Sequence, residues 1–248
     1  MSGHSKWANI KHRKAAQDAK RGNLFQKLIK AVIIAAKEGG GDPATNIRLK
    51  AALDRAKAAS VPSSNIERAI KRGTGEIEGA TYEELIYEGY APEGVAVIVE
   101  CLTDNKNRTT PEIRMILDRN GGSLGASGCV AWMFERRGVI TLAGQELDEE
   151  ELMEAALESG AEDVETDGGF VVYSDPSVVD DVRSAMEARG YSVEDAESQM
   201  VPKSTVKVSD PDRARKILKL MDLLENHDDV QNVSSNFDIP DEVMEQIE

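Results

Sequence analysis

At 248 residues the chain is long enough for more than one hydrophobic core, since single domains usually run about 100 to 150 residues. A hydrophobic content of 40% excludes a wholly disordered chain, and no apolar run approaches the roughly 20 residues that a membrane helix needs. The net charge of −15 conceals a division: residues 1–72 hold 16 Lys plus Arg against 5 Asp plus Glu (+11), whereas the other 176 hold 14 against 40 (−26). A basic module is thus fused to an acidic body, and a segment of that kind calls for an anionic partner, most often nucleic acid.

Aromatic residues are only 4%, so the cores must be built from Val, Ile, Leu, Met and Ala. The N-terminus is basic, but no apolar stretch follows it, which argues against a secretory signal and for a cytoplasmic protein. The two cysteines, Cys101 and Cys129, sit in apolar contexts (IVECL, SGCVAWM) and read as buried free thiols of a reducing compartment.

In chain order, Lys6 to Arg21 concentrates charge: Lys6, Lys11, Arg13, Lys14, Lys20 and Arg21, with His12 able to join them and Trp7 as the large aromatic. An Ala-rich helix over Ala8–Arg21, ended by Gly22-Asn23, has little apolar area with which to hold itself to a core. Leu24 to Lys37 repeats its apolar residues at three and four, a core-facing helix with Lys27 and Lys30 on its other side. A GGGDP stop leads to a third helix from Thr45 to Ala59, with Ile47 and Leu53 inward. A fourth runs from Ser63 to Arg72, with capping-box spacing at Ser64 and Glu67 and Gly73 as its stop. The periodicity then changes. Glu84–Tyr90 and Val95–Leu102 read as strands around a Pro92-Glu93-Gly94 turn, and Thr110-Pro111 opens a helix that ends at Gly121-Gly122. Cys129–Glu135 and Gly138–Leu142 read as strands interrupted at Arg136-Arg137, followed by a helix over Asp148–Glu158. VVYSDPSVVDDVRSAM and VKVSDPDRARKILKLM then repeat at an offset of 35 residues, each a strand, a Ser-Asp-Pro turn with Pro176 or Pro211 at the first helical position, and a helix. Such β-α-β units suit two split β-α-β, ferredoxin-like α+β domains behind a helical one.

The candidate nucleic-acid contacts are therefore Lys6, Trp7, Lys11, His12, Arg13, Lys14, Lys20, Arg21, Lys27 and Lys30: cations for phosphates and one ring for a base. Asp104, Asn105, Lys106, Asn107 and Arg108 form a candidate polar contact loop, or simply a turn and helix cap. The acidic runs Asp148–Glu151 and Glu225–Asp229 read as solvated faces that repel polyanions. His4, His12 and His227 are scattered, the cysteines are near none of them, and there is neither a G-x-S-x-G elbow nor a Walker lysine. No metal, cofactor, small-molecule substrate or catalytic residue is expected, and the chain reads as a non-enzyme.

The segments GHSKWANIKHRKAAQDAKRG, GGGDP, NIERAIKRG, YEGYAPEGVAVIVECLTDNKNRT and GGSLG closely resemble the YebC/PmpR family, which includes the mitochondrial translational activator of cytochrome c oxidase. The likeness covers nearly the whole chain; Cys129 and Ile47 depart from it, neither of them among the cations. It implies three domains, a helical one (1–76), a middle α+β domain (77–136 with 203–241) and an α+β domain inserted in it (137–202). It also implies a transcriptional regulator that binds DNA or, alternatively, a translation factor that binds RNA on the ribosome. An adaptor whose basic arm folds back on its own acidic domains is the reading outside nucleic acid.

Overall fold

The computed structural model describes residues 18–143, 147–166 and 169–247, with side chains from residue 22 onward. Three helices come first: α1 (Asp18–Gly39), α2 (Ile47–Ala58) and α3 (Ser63–Gly73). There follow β1 (Glu83–Tyr90), β2 (Ala96–Thr103), α4 (Lys106–Arg119) and β3 (Ser123–Leu124). Next come β4 (Phe134–Leu142), α5 (Glu149–Glu158), β5 (Asp163–Glu165), β6 (Phe170–Ser174), α6 (Val179–Ala188) and β7 (Val193–Pro202). The chain closes with β8 (Val206–Lys207), α7 (Pro211–Glu225), β9 (Val230–Ser235), β10 (Phe237–Asp238) and α8 (Asp241–Ile247).

The first three helices enclose a core of their own around Val32, Ile33, Leu49, Leu53, Ile66 and Ala69. Contrary to the expected stop, α1 runs unbroken through Gly22-Asn23. A helical glycine costs about 1 kcal/mol relative to Ala, and tertiary contact offsets it here, because the Asn23 amide is drawn outward to the carbonyl of Asn226 at 2.9 Å. Asn46 caps α2 by accepting from the Leu49 N–H and donates to the Ala35 and Gly40 carbonyls, stitching two helix ends together. That cap puts Ile47 on the outside, 77% exposed, and Leu49 inside, the reverse of the sequence pattern's assignment for Ile47. The Ser64/Glu67 capping box does not form: Pro62 takes the cap position, so Ser64 lies too far into α3 to serve. Gly73 closes α3 in contact with α1, where a Cβ would lie 2.5 Å from the Ile33 carbonyl. Its smallness is what lets the two helices cross.

Two four-stranded antiparallel sheets follow. The first has the order β3-β1-β2-β9, with α4 and α7 on one face packing Ile113, Leu117, Ile217 and Leu220 against Val97 and Val99. The second has the order β5-β6-β4-β7, with α5 and α6 covering it through Leu152, Val182 and Met186. The second is the split β-α-β arrangement, whereas the first opens on a β1–β2 hairpin and differs from it in connectivity. β8 joins neither sheet and pairs in parallel with β10.

Three further sequence expectations are revised. Helix α4 starts at Lys106, capped by the Asn105 side chain, so Pro111 sits inside the helix rather than at its opening. Its missing N–H leaves the Asn107 carbonyl on an exposed face, where water can serve it. The strand expected at Cys129–Glu135 is a turn and a short 3-10 segment (Ala131–Met133), and β4 then runs straight through Arg136-Arg137. The cause is Glu88, whose buried carboxylate accepts the N–H groups of Gly128 (2.6 Å), Val130 (2.8 Å) and Ala131 (2.7 Å) and curls that backbone. Finally, Asp210 caps α7 with Pro211 at its first position, but in the other copy Pro176 stays in a turn and α6 begins at Val179 without a side-chain cap.

Candidate nucleic-acid interface

Of the expected contacts, Lys6, Trp7, Lys11, His12, Arg13 and Lys14 lie outside the described residues. Lys20 and Arg21 fall within α1. Lys27 and Lys30 are held against the body. Asn23, Lys27 and Lys30 share one face of α1 by their spacing of four and three. They donate to the carbonyls of Asn226, Glu225 and Asp228, around the C-terminus of α7. The Glu225 and Asn226 carbonyls stand at the helix C-terminus, at the negative end of its dipole, where cations and amides stabilise them. The basic module is docked by a side-chain cap.

At the centre of this contact is Asp229, 1% exposed, in a run that the sequence alone presents as solvated. Its carboxylate receives Lys30 Nζ at 2.7 Å and Arg108 Nη2 at 2.6 Å. The hydroxyl of Thr109 lies at 2.8 Å and that of Thr103 at 3.3 Å. Its main-chain carbonyl accepts the Leu102 N–H at 2.7 Å, which fixes it beside the end of β2. Burial alone would raise the carboxyl's pKa; the hydrogen bonds from Lys30, Arg108 and Thr109 and the Lys30 charge outweigh it and hold the group well below the usual carboxylate range. The polar loop thus divides. Asp104 and Asn105 orient the start of α4, Asp104 accepting from Arg108 at 3.2 Å, while Lys106 and Asn107 face outward on its first turn.

A cleft of about 640 Å³ opens beside this cluster, lined by Gln26, Lys30 and Tyr82 on one side and Arg108, Glu112 and His227 on the other. Glu112, His227 and Asp229 bring ligand-type atoms within 4.8 Å of one another, a grouping that the distant sequence positions did not announce. The set is a poor fit for a metal. The Asp229 N–H donates to His227 Nδ1 at 3.1 Å, which leaves the Nε2 proton facing Glu112 at 3.0 Å, and the Asp229 carboxylate is already matched by two cations. The cluster closes an interface.

Ion pairs also join the helical module to the rest: Arg48, which pairs with Glu38 of its own module, reaches Glu84 on β1, and Arg55 pairs with Glu197 on β7. Of the cysteines, Cys101 is buried and its thiol is pushed up to about 12, by burial first and the Asp229 charge second; Cys129 is half-buried. Sequence reasoning missed Asn23 and Asp229, while Thr103 and Thr109 belong to the polar stretch 103–110 that it singled out. The one local signal was the Thr-rich connection at 103–110, whose partner lies more than 100 residues away.

Residues 5–76 match the family described as the TACO1/YebC protein N-terminal domain, and residues 82–237 match the TACO1/YebC second and third domain. The chain is 56% identical to a protein named "Probable transcriptional regulatory protein" from Halothermothrix orenii, over 100% of this chain and 99% of that one. It is likewise 56% identical to a protein of the same name from Dictyoglomus turgidum, over the full length of both. A crystal structure of a conserved hypothetical protein from Aquifex aeolicus superposes with a TM-score of 0.86 at 50% identity, covering 94% of this chain and 97% of that one. Among the described residues, no helix is long and apolar enough to cross a membrane.

Proposed function

Since the chain belongs to the TACO1/YebC family, we propose that it is a cytoplasmic, non-enzymatic regulator that binds DNA through its basic N-terminal module. The observation that carries this is the segregation of charge, +11 over residues 1–72 against −26 over the remainder. Lys6, Lys11, Arg13, Lys14, Lys20 and Arg21 grip phosphates, Trp7 stacks or anchors, and the acidic body confines contact to that end. Lys27 and Lys30 serve the grip indirectly, by holding α1 on the body. Relatives named as transcriptional regulators are consistent with this reading.

A second reading, a translation factor on ribosomal RNA, uses the same cations. One observation favours it: Trp132 is 67% exposed with its indole N–H tied to the Cys129 carbonyl at 3.1 Å, a ring set to stack on an unpaired base rather than to enter a duplex.

Replacing the six leading cations by Gln tests the common core of both readings. Anisotropy titrations against salt should show log K losing about 5 units of slope, from about 0.9 per phosphate contact. Unchanged affinity for DNA, RNA and ribosomes would overturn it. A specific-over-nonspecific ratio above about 1,000 on a duplex supports transcription control. Co-sedimentation with ribosomes through moderate salt, lost in Trp132→Ala, supports the second reading.

A further inference from the structure

The acidic body carries one surface of the opposite sign. Helices α4 and α7 together hold eight of the 14 Lys and Arg of residues 73–248 against five of the 40 Asp and Glu, a local charge of +3. The rest of that stretch has six against 35, or −29. Three of the eight are spent inside the protein: Arg108 on Asp229, Arg213 on Glu93 and Arg215 on Asp212. Lys106, Arg114 and Arg119 on α4 are exposed and make no ion pair among the described residues, although the surrounding body abounds in carboxylates. An ordinary solvated face in such a body would be expected to recruit acids, as Arg108 does.

Position gives this face its meaning. Lys30 of α1 and Arg108 of α4 share the Asp229 carboxylate, and Gln26 lines the same cleft as Met115 and Ile116 of α4. The N-terminal half of α1 therefore flanks α4, so the basic module lies against this face. From Lys106 to Arg119 the helix rises about 20 Å, a length over which one strand of B-DNA places about six phosphates. Met115 and Pro111 lie between the cations, with Asp118 the single acid on that face.

We propose that the outer face of α4, through Lys106, Arg114 and Arg119, is a second phosphodiester-binding surface that engages the same nucleic acid held by residues 1–21. It rests on the proposed function and extends it: the module supplies one grip and the middle unit the other, joined through Asp229. Nucleic acid would then lie across the boundary between module and body, so the two sets of cations act in concert and their loss is more than additive.

The test uses the full chain with two probes, a 20-base-pair DNA duplex and an RNA hairpin, titrated between about 50 and 300 mM salt. The triple variant Lys106→Gln, Arg114→Gln, Arg119→Gln should flatten the log K versus log salt slope by about 2 to 3 on the preferred probe. A matched triple, Arg189→Gln, Lys203→Gln, Lys207→Gln, removes the same charge elsewhere on the body and should leave the slope within error of the wild type. Equal effects from the two triples, or none from the first, overturn the proposal. If wild type binds but only the Gln variants at positions 6–21 weaken it, this inference falls and the proposed function stands. Failure of the wild type to bind either probe sinks both. The probe whose slope changes identifies DNA or RNA as the source of the phosphates, and matching thermal melts show that the Gln variants are folded.

Discussion

The two sheets share a plan, four antiparallel strands with a helical pair on one face, and carry opposite charge on that pair. On the first sheet α4 and α7 sum to +3; on the second α5 and α6 have one Arg against eight acids, or −7. Neither value follows from packing, because the buried residues of both pairs are of the same aliphatic kind. The inward face of each helix answers to the sheet and the outward face to a partner, so function has to be sought on the second. A second difference is depth of attachment. The first unit meets the helical module through a buried carboxylate with four donors, the second through the Arg55–Glu197 pair with its half-exposed guanidinium.

The comparison is broken most severely at Asp229. Asp229→Ala leaves Lys30 and Arg108 facing each other without their anion and should cost about 3 to 5 kcal/mol in chemical denaturation. The pH dependence has a definite sign. The folded carboxyl is held below its ordinary value, so its contribution is complete above about pH 4 and drains away as pH falls further. Wild-type and Asp229→Asn denaturation midpoints should therefore differ at pH 7 and draw together as pH falls below about 4. Next comes Glu88→Gln, which puts an amide donor where three backbone N–H groups converge; a loss of about 2 kcal/mol is expected. Faster amide exchange at Gly128, Val130 and Ala131 would locate it. Gly22→Ala should raise the melting temperature, by up to about 1 kcal/mol of helix propensity, since the added Cβ meets nothing within 4 Å. A decrease would mean that α1 is not continuous there. The smallest effect sharpens the charge contrast: Glu154→Gln with Glu158→Gln on α5 should change nucleic-acid affinity by less than about threefold, slightly upward, at 100 mM salt.

Much of this layout was legible in the sequence, because hydrophobic spacing and charge are local properties. The apolar repeat of Leu28, Val32 and Ile33 fixed the core face of α1, and Asp148 and Asp210 announced their helices by their caps. Three of the failures share a cause, which is a partner distant in the chain. Gly22-Asn23 signals an end unless Asn226 is there to receive the amide, and CVAWMFE signals a strand unless Glu88 gathers its N–H groups. Asp229 looked solvated because its four partners lie at positions 30, 103, 108 and 109. Pro111 misled differently: proline favours a helix opening, and Asn105 had already taken that role six residues earlier.

The second sheet is reached and left through neighbouring antiparallel strands, with Phe134 opposite Pro202 and the Lys203 N–H on the Met133 carbonyl. Its entrance and exit are thus a few ångströms apart, on one edge of the remaining chain. The attachment is not confined to those crossings, because Phe134 and Met200 pack with Ala96, Ile98 and Val130. Any swing of the lobe would have to break that contact and the Arg136–Glu100 and Arg55–Glu197 pairs, so the lobe is braced as well as tethered.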